Sequence, residues 1–218
     1  MSATSHSNTA QGQISGLMQN LAGIALGVLL LAVGAAYLVD QTSRPGTRTA
    51  ASLGDGSAIV QTVGGRELTI PQNWFRFGEQ MQTGFVSQVD LSVHLASGVV
   101  DVTLVPRSRA RASSELLDSV YVHQFAKGTL SGVPGLIGQT LGGSGYAGEV
   151  LWYDALAAQP FVAKCIAPVE VDAASRCVRT AQLTSGLAAI YSFDATMLAD
   201  WRDFDAQMGQ WLQKIGAN

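Results

Sequence analysis

Apolar and polar positions divide this chain into an apolar block, a polar stretch and a long series of short alternating runs. From Leu21 to Val39 it reads LAGIALGVLLLAVGAAYLV, without a charge or a proline. At ~1.5 Å rise per residue that run makes ~28 Å of helix, about the hydrocarbon thickness of a bilayer. The pattern predicts a transmembrane helix within an anchor over 14–39. Residues 1–13 are polar and small, the composition of a disordered tail. Residues 40–57, rich in Ser, Thr, Gly and Arg, read as a linker. A soluble domain over 58–218 follows.

Within that domain the period is mostly that of strands. Ile59-Val60 and Arg66–Ile70 flank Gly64-Gly65, a hairpin signal. Val86–Leu95 and Val99–Val105 suit a sheet with one buried face. A helix is expected over 114–126, capped by Ser113 or Ser114, with Leu117, Val120, Tyr121 and Gln124 on one stripe. Glycine-rich 128–148 has no clear period. Glu149–Ala157, Phe161–Ala167, Cys177–Leu183 and Leu187–Phe193 read as consecutive antiparallel strands. The last segment is the strongest helix: Asp194 caps it, and Met197, Leu198, Trp201, Phe204, Met208, Trp211, Leu212 and Ile215 recur at three- and four-residue steps around a central Trp201. The expected fold class is α+β: one N-terminal transmembrane helix, then an antiparallel sheet covered by helices and closed by a C-terminal amphipathic helix.

In the apolar block, Gly23 and Gly27 form a GxxxG that would let another helix approach closely. A cleaved signal peptide is the alternative, but the first thirty-nine residues hold no Lys or Arg for its basic start. Orientation is divided. Arg44 and Arg48, just after the block, favour a cytoplasmic domain by the positive-inside count. The cysteines favour the periplasm.

Cys165 and Cys177 are the only cysteines. They lie in two apolar, β-rich runs joined by a plausible turn. If the runs pair, a disulfide would close a loop of about 11–13 residues, for roughly 3 kcal/mol in the chain-entropy model. Such bonds persist in the periplasm and are reduced in the cytosol. Two separate buried thiols are the alternative. Two cysteines without nearby histidines are too few for structural zinc, and the spacing is not C-x-x-C.

Composition removes several classes. Charged residues make up 13% and the net charge is −3, too little basic surplus for nucleic acid as a main partner. Gly143–Gly148 spells GxGxxG, yet a strand-like run follows it where a dinucleotide site needs a helix, so it reads as a turn. His6, His94 and His123 fall in a tail, a strand and a helix with no reason to meet. Arg107, Arg109 and Arg111 alternate and, if extended, project to one side toward lipid headgroups or an acidic partner. No catalytic residue, metal ligand or cofactor is assigned.

The strand-to-turn IPQNWF, the AKC…RC hairpin and the ending LAAIYSFDATMLADWRDFDAQMGQWLQKI resemble uncharacterised single-pass membrane proteins of alphaproteobacteria. The order of strands, late antiparallel sheet and closing helix also loosely resembles the PsbP/Mog1-like α-β-α sandwich, which implies a non-enzymatic accessory or assembly role. The expectation is a non-enzymatic domain tethered to the inner membrane, facing the periplasm and binding protein partners. The alternative is a small-ligand or lipid-binding domain with a cleft under 128–148.

Overall fold

A computed structural model of the chain describes residues 57–143, 148–167 and 174–218. The transmembrane segment expected over 14–39, with Gly23 and Gly27, lies outside them, as do the tail over 1–13 and nearly all of the linker. Among the described residues no helix is long and apolar enough to cross a membrane. The expected anchor, and with it a single-pass inner-membrane location, finds no support in the structure.

The chain enters at Ala58. Strands β1 (Ala58–Val63) and β2 (Arg66–Pro71) form a hairpin with Ile59 opposite Ile70 and Val63 opposite Arg66. Gly64 and Gly65 both have positive φ, 57° and 83°, as a two-residue type I′ turn requires. A short β3 (Gly84–Val86) pairs parallel to β1 and completes a three-stranded sheet.

The main sheet has eight strands, all neighbours antiparallel. They are β4 (Val89–Leu95), β5 (Gly98–Pro106), β6 (Phe125–Leu130), β7 (Ile137–Leu141), β8 (Glu149–Tyr153), β9 (Val162–Ile166), β10 (Arg176–Gln182) and β11 (Leu187–Asp194). Their order is β4-β5-β11-β10-β9-β8-β7-β6. The late meander from β6 to β11 is local. The docking of β5 on β11, with Val102 opposite Tyr191, is the one long-range seam.

One face of this sheet carries the core. Val100, Val102 and Leu104 on β5 alternate with outward residues, as do Leu187, Ala189, Tyr191 and Phe193 on β11. They meet the small sheet and the C-terminal helix in one apolar cluster. Asp194 does cap the closing segment, its carboxylate accepting from Thr196 N–H at 2.8 Å. One 3-10 stretch over Ala195–Asp200 comes first, and the regular helix is Trp201–Gln213. It ends in a Schellman arrangement: Gly216 has φ 79°, and Ala217 N–H reaches back to Leu212 O. Trp74 stacks on Trp211 with ring centroids 3.8 Å apart, and Thr69 N–H donates to Ile215 O, tying the small sheet to the helix.

The expected fold class needs correcting. The described chain is mostly sheet, and its α-helices are α1 (Ser113–Ser119) and α2 (Trp201–Gln213). α2 packs on the core face of the main sheet through Phe204, Met208 and Leu212, and α1 adds Leu117 to a second apolar cluster. The helix expected over 114–126 stops at Ser119 because β-branched Val120 and Val122 and aromatic Tyr121 favour other conformations. Tyr121 and Phe125 pack instead against the second apolar cluster of Leu117, Leu141, Leu151 and Val162. Ser113 is not its cap; its Oγ accepts Thr180 N–H at 2.8 Å. Trp201 is half-buried, its Nε1 donating to Pro134 O at 3.0 Å, and Phe204 takes the central position.

Candidate functional site

Two places combine unusual burial with unusual exposure. The first begins at a strand position that breaks the apolar rule. In β1, Ile59, Gln61 and Val63 share the inward face, yet Gln61 is polar and 1% exposed. A buried amide must find partners or be costly. Its Nε2 donates to Gln80 O at 2.6 Å and Gln82 O at 2.7 Å, on the segment between β2 and β4. Gln80 continues the chain of bonds. Its Nε2 donates to Asp90 Oδ2 at 2.8 Å, and its Oε1 accepts Asp90 N–H at 2.9 Å. Asp90 also accepts from Gln88 Nε2 and from the Thr103 hydroxyl. This network pins a loop to β1, β4 and β5.

The pinned loop holds apolar side chains in water. Phe77 and Met81 are more than a third exposed, and Phe85 on β3 is 89% exposed. Phe85 lies opposite Thr62, on the outer face that also carries half-exposed Val60. Burying a Phe side chain gains ~1.5–3 kcal/mol relative to leaving it exposed, so this loop forgoes that gain within the domain. A loop already ordered by internal hydrogen bonds loses less entropy when a partner covers it.

The second place is a cavity of about 660 Å³ where β10 parts from β9. Its floor carries Arg179, a charge on the core-facing side of β10 that is 7% exposed. The Asp205 carboxylate on α2 accepts from both Nε and Nη2 of Arg179. Nη1 donates to Val162 O, and the guanidinium lies over the Phe161 ring, 4.4 Å from its centroid. Beside them, burial first and the Asp205 charge second raise the Tyr191 hydroxyl above its ordinary value near 10. The folded state therefore keeps this proton where the unfolded chain releases it, so its contribution to stability is intact below pH 10 and is lost as pH climbs beyond. Stability should fall above about pH 10 by up to ~1.4 kcal/mol per unit from this group. Tyr191→Phe should flatten that fall in urea unfolding. An identical slope in both proteins would exclude Tyr191 as its source.

The two cysteines meet. Cys165 on β9 stands opposite Cys177 on β10, with Cα atoms 3.9 Å apart, and the two are joined in a disulfide. The other expectations scatter. Gly148 runs directly into β8, the strand that the sequence indicated; residues 144–147 lie outside the described ones. His94 and His123 are exposed on different elements, and His6 lies outside the described residues. Arg107–Arg109 form a 3-10 turn, so the three arginines do not extend in one row; Arg109 donates to Ser87 O. The region 128–148 contributes the second half of β6, all of β7 and a groove along Thr129–Ile137, set in the loop that joins them. Among the described residues no group of three or more His, Cys, Asp or Glu could hold a metal ion.

Gln61 and Arg179 carry most of both sites, and reading residue types along the chain passes over them. The available signal was positional: a polar residue at a core-facing register of an otherwise apolar strand.

No family model matches the chain. No curated protein matches it either. Among solved structures, its fold is similar to that of an immunity protein of the Stenotrophomonas maltophilia type IV secretion system, with a TM-score of 0.54 and 9% identity over 73% of this chain and 93% of that one. At that identity the likeness is one of fold alone.

Proposed function

We propose that this domain binds a protein partner in an oxidising, periplasm-like compartment. The observation that carries the reading is the pinned loop with Phe77, Met81 and Phe85 held in water by the Gln61–Gln80–Asp90 network. Fixed, exposed aromatic and Met side chains are the composition of interface anchors. The fold neighbour supports the same direction, since an immunity protein of a secretion system has a setting in which contact with another protein is the natural means of action. The disulfide supports the compartment, because such bonds persist where thiols are not kept reduced.

The test is cross-linking of the full-length protein in its native cells, followed by identification of what is attached. Phe77→Ser, Met81→Ser and Phe85→Ser together should reduce recovery of a specific partner about tenfold. Phe85→Ser alone should leave the unfolding midpoint nearly unchanged, because that side chain is 89% exposed, and so separates loss of binding from loss of fold. An identical set of attached proteins in both forms would remove the loop as the binding surface.

A further inference from the structure

The cavity beside β10 has an origin in strand register. β9 pairs with β10 only over Arg176–Val178, with Cys165 opposite Cys177. Continued, that register would set Phe161 against Ala181 and Pro160 against Gln182. Proline has no N–H to give a ladder. The chain turns away there instead, and the loop closes on itself through Asp154 N–H to Phe161 O.

The parting leaves an open strand edge. Leu183 N–H bonds to Leu187 O in β11, so by the antiparallel alternation Thr180 and Gln182 aim their backbone groups the other way, into the gap. One of those groups is already answered, since Ser113 Oγ accepts Thr180 N–H. Thr180, Ala181 and Gln182 all line the cavity. Among the described residues no strand pairs with β10 on that side beyond Val178.

The walls carry charge. Arg179 is neutralised by Asp205. On α1, Glu115 and Asp118 are exposed and line the same cavity, with Arg107 the remaining cation there. Carboxylate is thus in excess. The loop that replaces the strand, Asp154–Pro160, lines the cavity with Ala158, Gln159 and Pro160.

We propose that this slot takes an extended polypeptide segment of the protein partner, paired to the Thr180–Gln182 edge, with a lysine or arginine set against Glu115 and Asp118. Addition of a strand to an open edge gains main-chain hydrogen bonds, and side chains at alternate positions give specificity. The inference rests on the protein-binding reading above and adds to it the partner's chemistry and its place.

Random short peptides displayed on phage and panned against the full-length oxidised protein would test it. Selected peptides should carry Lys or Arg and lack proline at the pairing positions. As free labelled peptides they should lose about tenfold in affinity to the E115K/D118K protein. They should lose as much when alternate backbone nitrogens are methylated, a change that leaves the protein untouched. Binding that is indifferent to both changes would overturn the slot. So would no enrichment at all, including the case in which a second copy of the chain fills the slot and mass rises with concentration. The two readings fail separately: partner cross-linking that survives E115K/D118K but is lost with the Phe77, Met81 and Phe85 changes refutes the slot alone, and cross-linking unchanged by the latter refutes the loop.

Discussion

Phe204→Ala should destabilise the domain by about 3–5 kcal/mol, the range for removing a buried aromatic ring. Phe204 is 3% exposed and sits where α2 meets the sheet. Its ring lies 4.7 Å from that of Phe193, 5.5 Å from that of Tyr191 and 6.1 Å from that of Phe161, centroid to centroid. Two of those partners belong to β11, the strand that joins the β4–β5 pair to the meander. The lost ring therefore opens a cavity at the seam between the two halves of the sheet, and the surrounding strands cannot close it by local repacking. Urea unfolding would show the midpoint falling with the slope unchanged. Trp201→Ala serves as the comparison. That side chain is only partly buried, and ~1–2 kcal/mol is expected. Equal losses at the two positions would show that the helix packs as its sequence stripe alone suggests, centred on Trp201.

The difference between Trp201 and Phe204 marks how far the sequence could be read. The apolar stripe identified the right helix and its buried residues Met197, Leu198, Met208, Leu212 and Ile215. It could not rank members of the stripe, because a helical wheel has no knowledge of where the sheet ends. Trp201 overhangs the loop at Pro134, and Phe204 sits over β11. Local pairings were legible for a related reason. Gly64-Gly65, and the closely spaced runs from Glu149 to Phe193, join strands that are neighbours in sequence and in space. The β5–β11 seam joins residues far apart along the chain and has no such signal.

The overall class misled for a different reason. Val120–Gln124 carries a helical stripe on residues of weak helix propensity and 128–148 has no clear period, and each takes the structure its tertiary contacts select. The former became a 3-10 turn against the second apolar cluster. Within the latter lie β7 and the second half of β6. The candidate sites were the least legible. Both depend on polar residues that look like surface residues in composition. Only the register of β1 and β10, known once strands and faces are fixed, turns Gln61 and Arg179 inward.

Loss of the Cys165–Cys177 disulfide should cost the domain roughly 3 kcal/mol. The bridge spans 12 residues in sequence, and closing a loop of that size removes about that much freedom from the unfolded chain. It also lies at the middle of the three paired steps that join β9 to β10 before they separate, with Cys177 fully buried against Phe193 and Cys165 nearly so. Reduction keeps the packing atoms and removes only the bond. The reduced wild-type protein should therefore unfold at lower denaturant than the oxidised one. Cys165→Ala with Cys177→Ala should fall further, by the cavities its missing sulfurs leave. The same bond reports the compartment. Protein taken from its native cells directly into alkylating agent should carry no label at either cysteine, and both should label after reduction. Two labelled thiols at extraction would refute the oxidising compartment. An unfolding midpoint indifferent to reduction would show that the twelve-residue connection is already constrained without the bond.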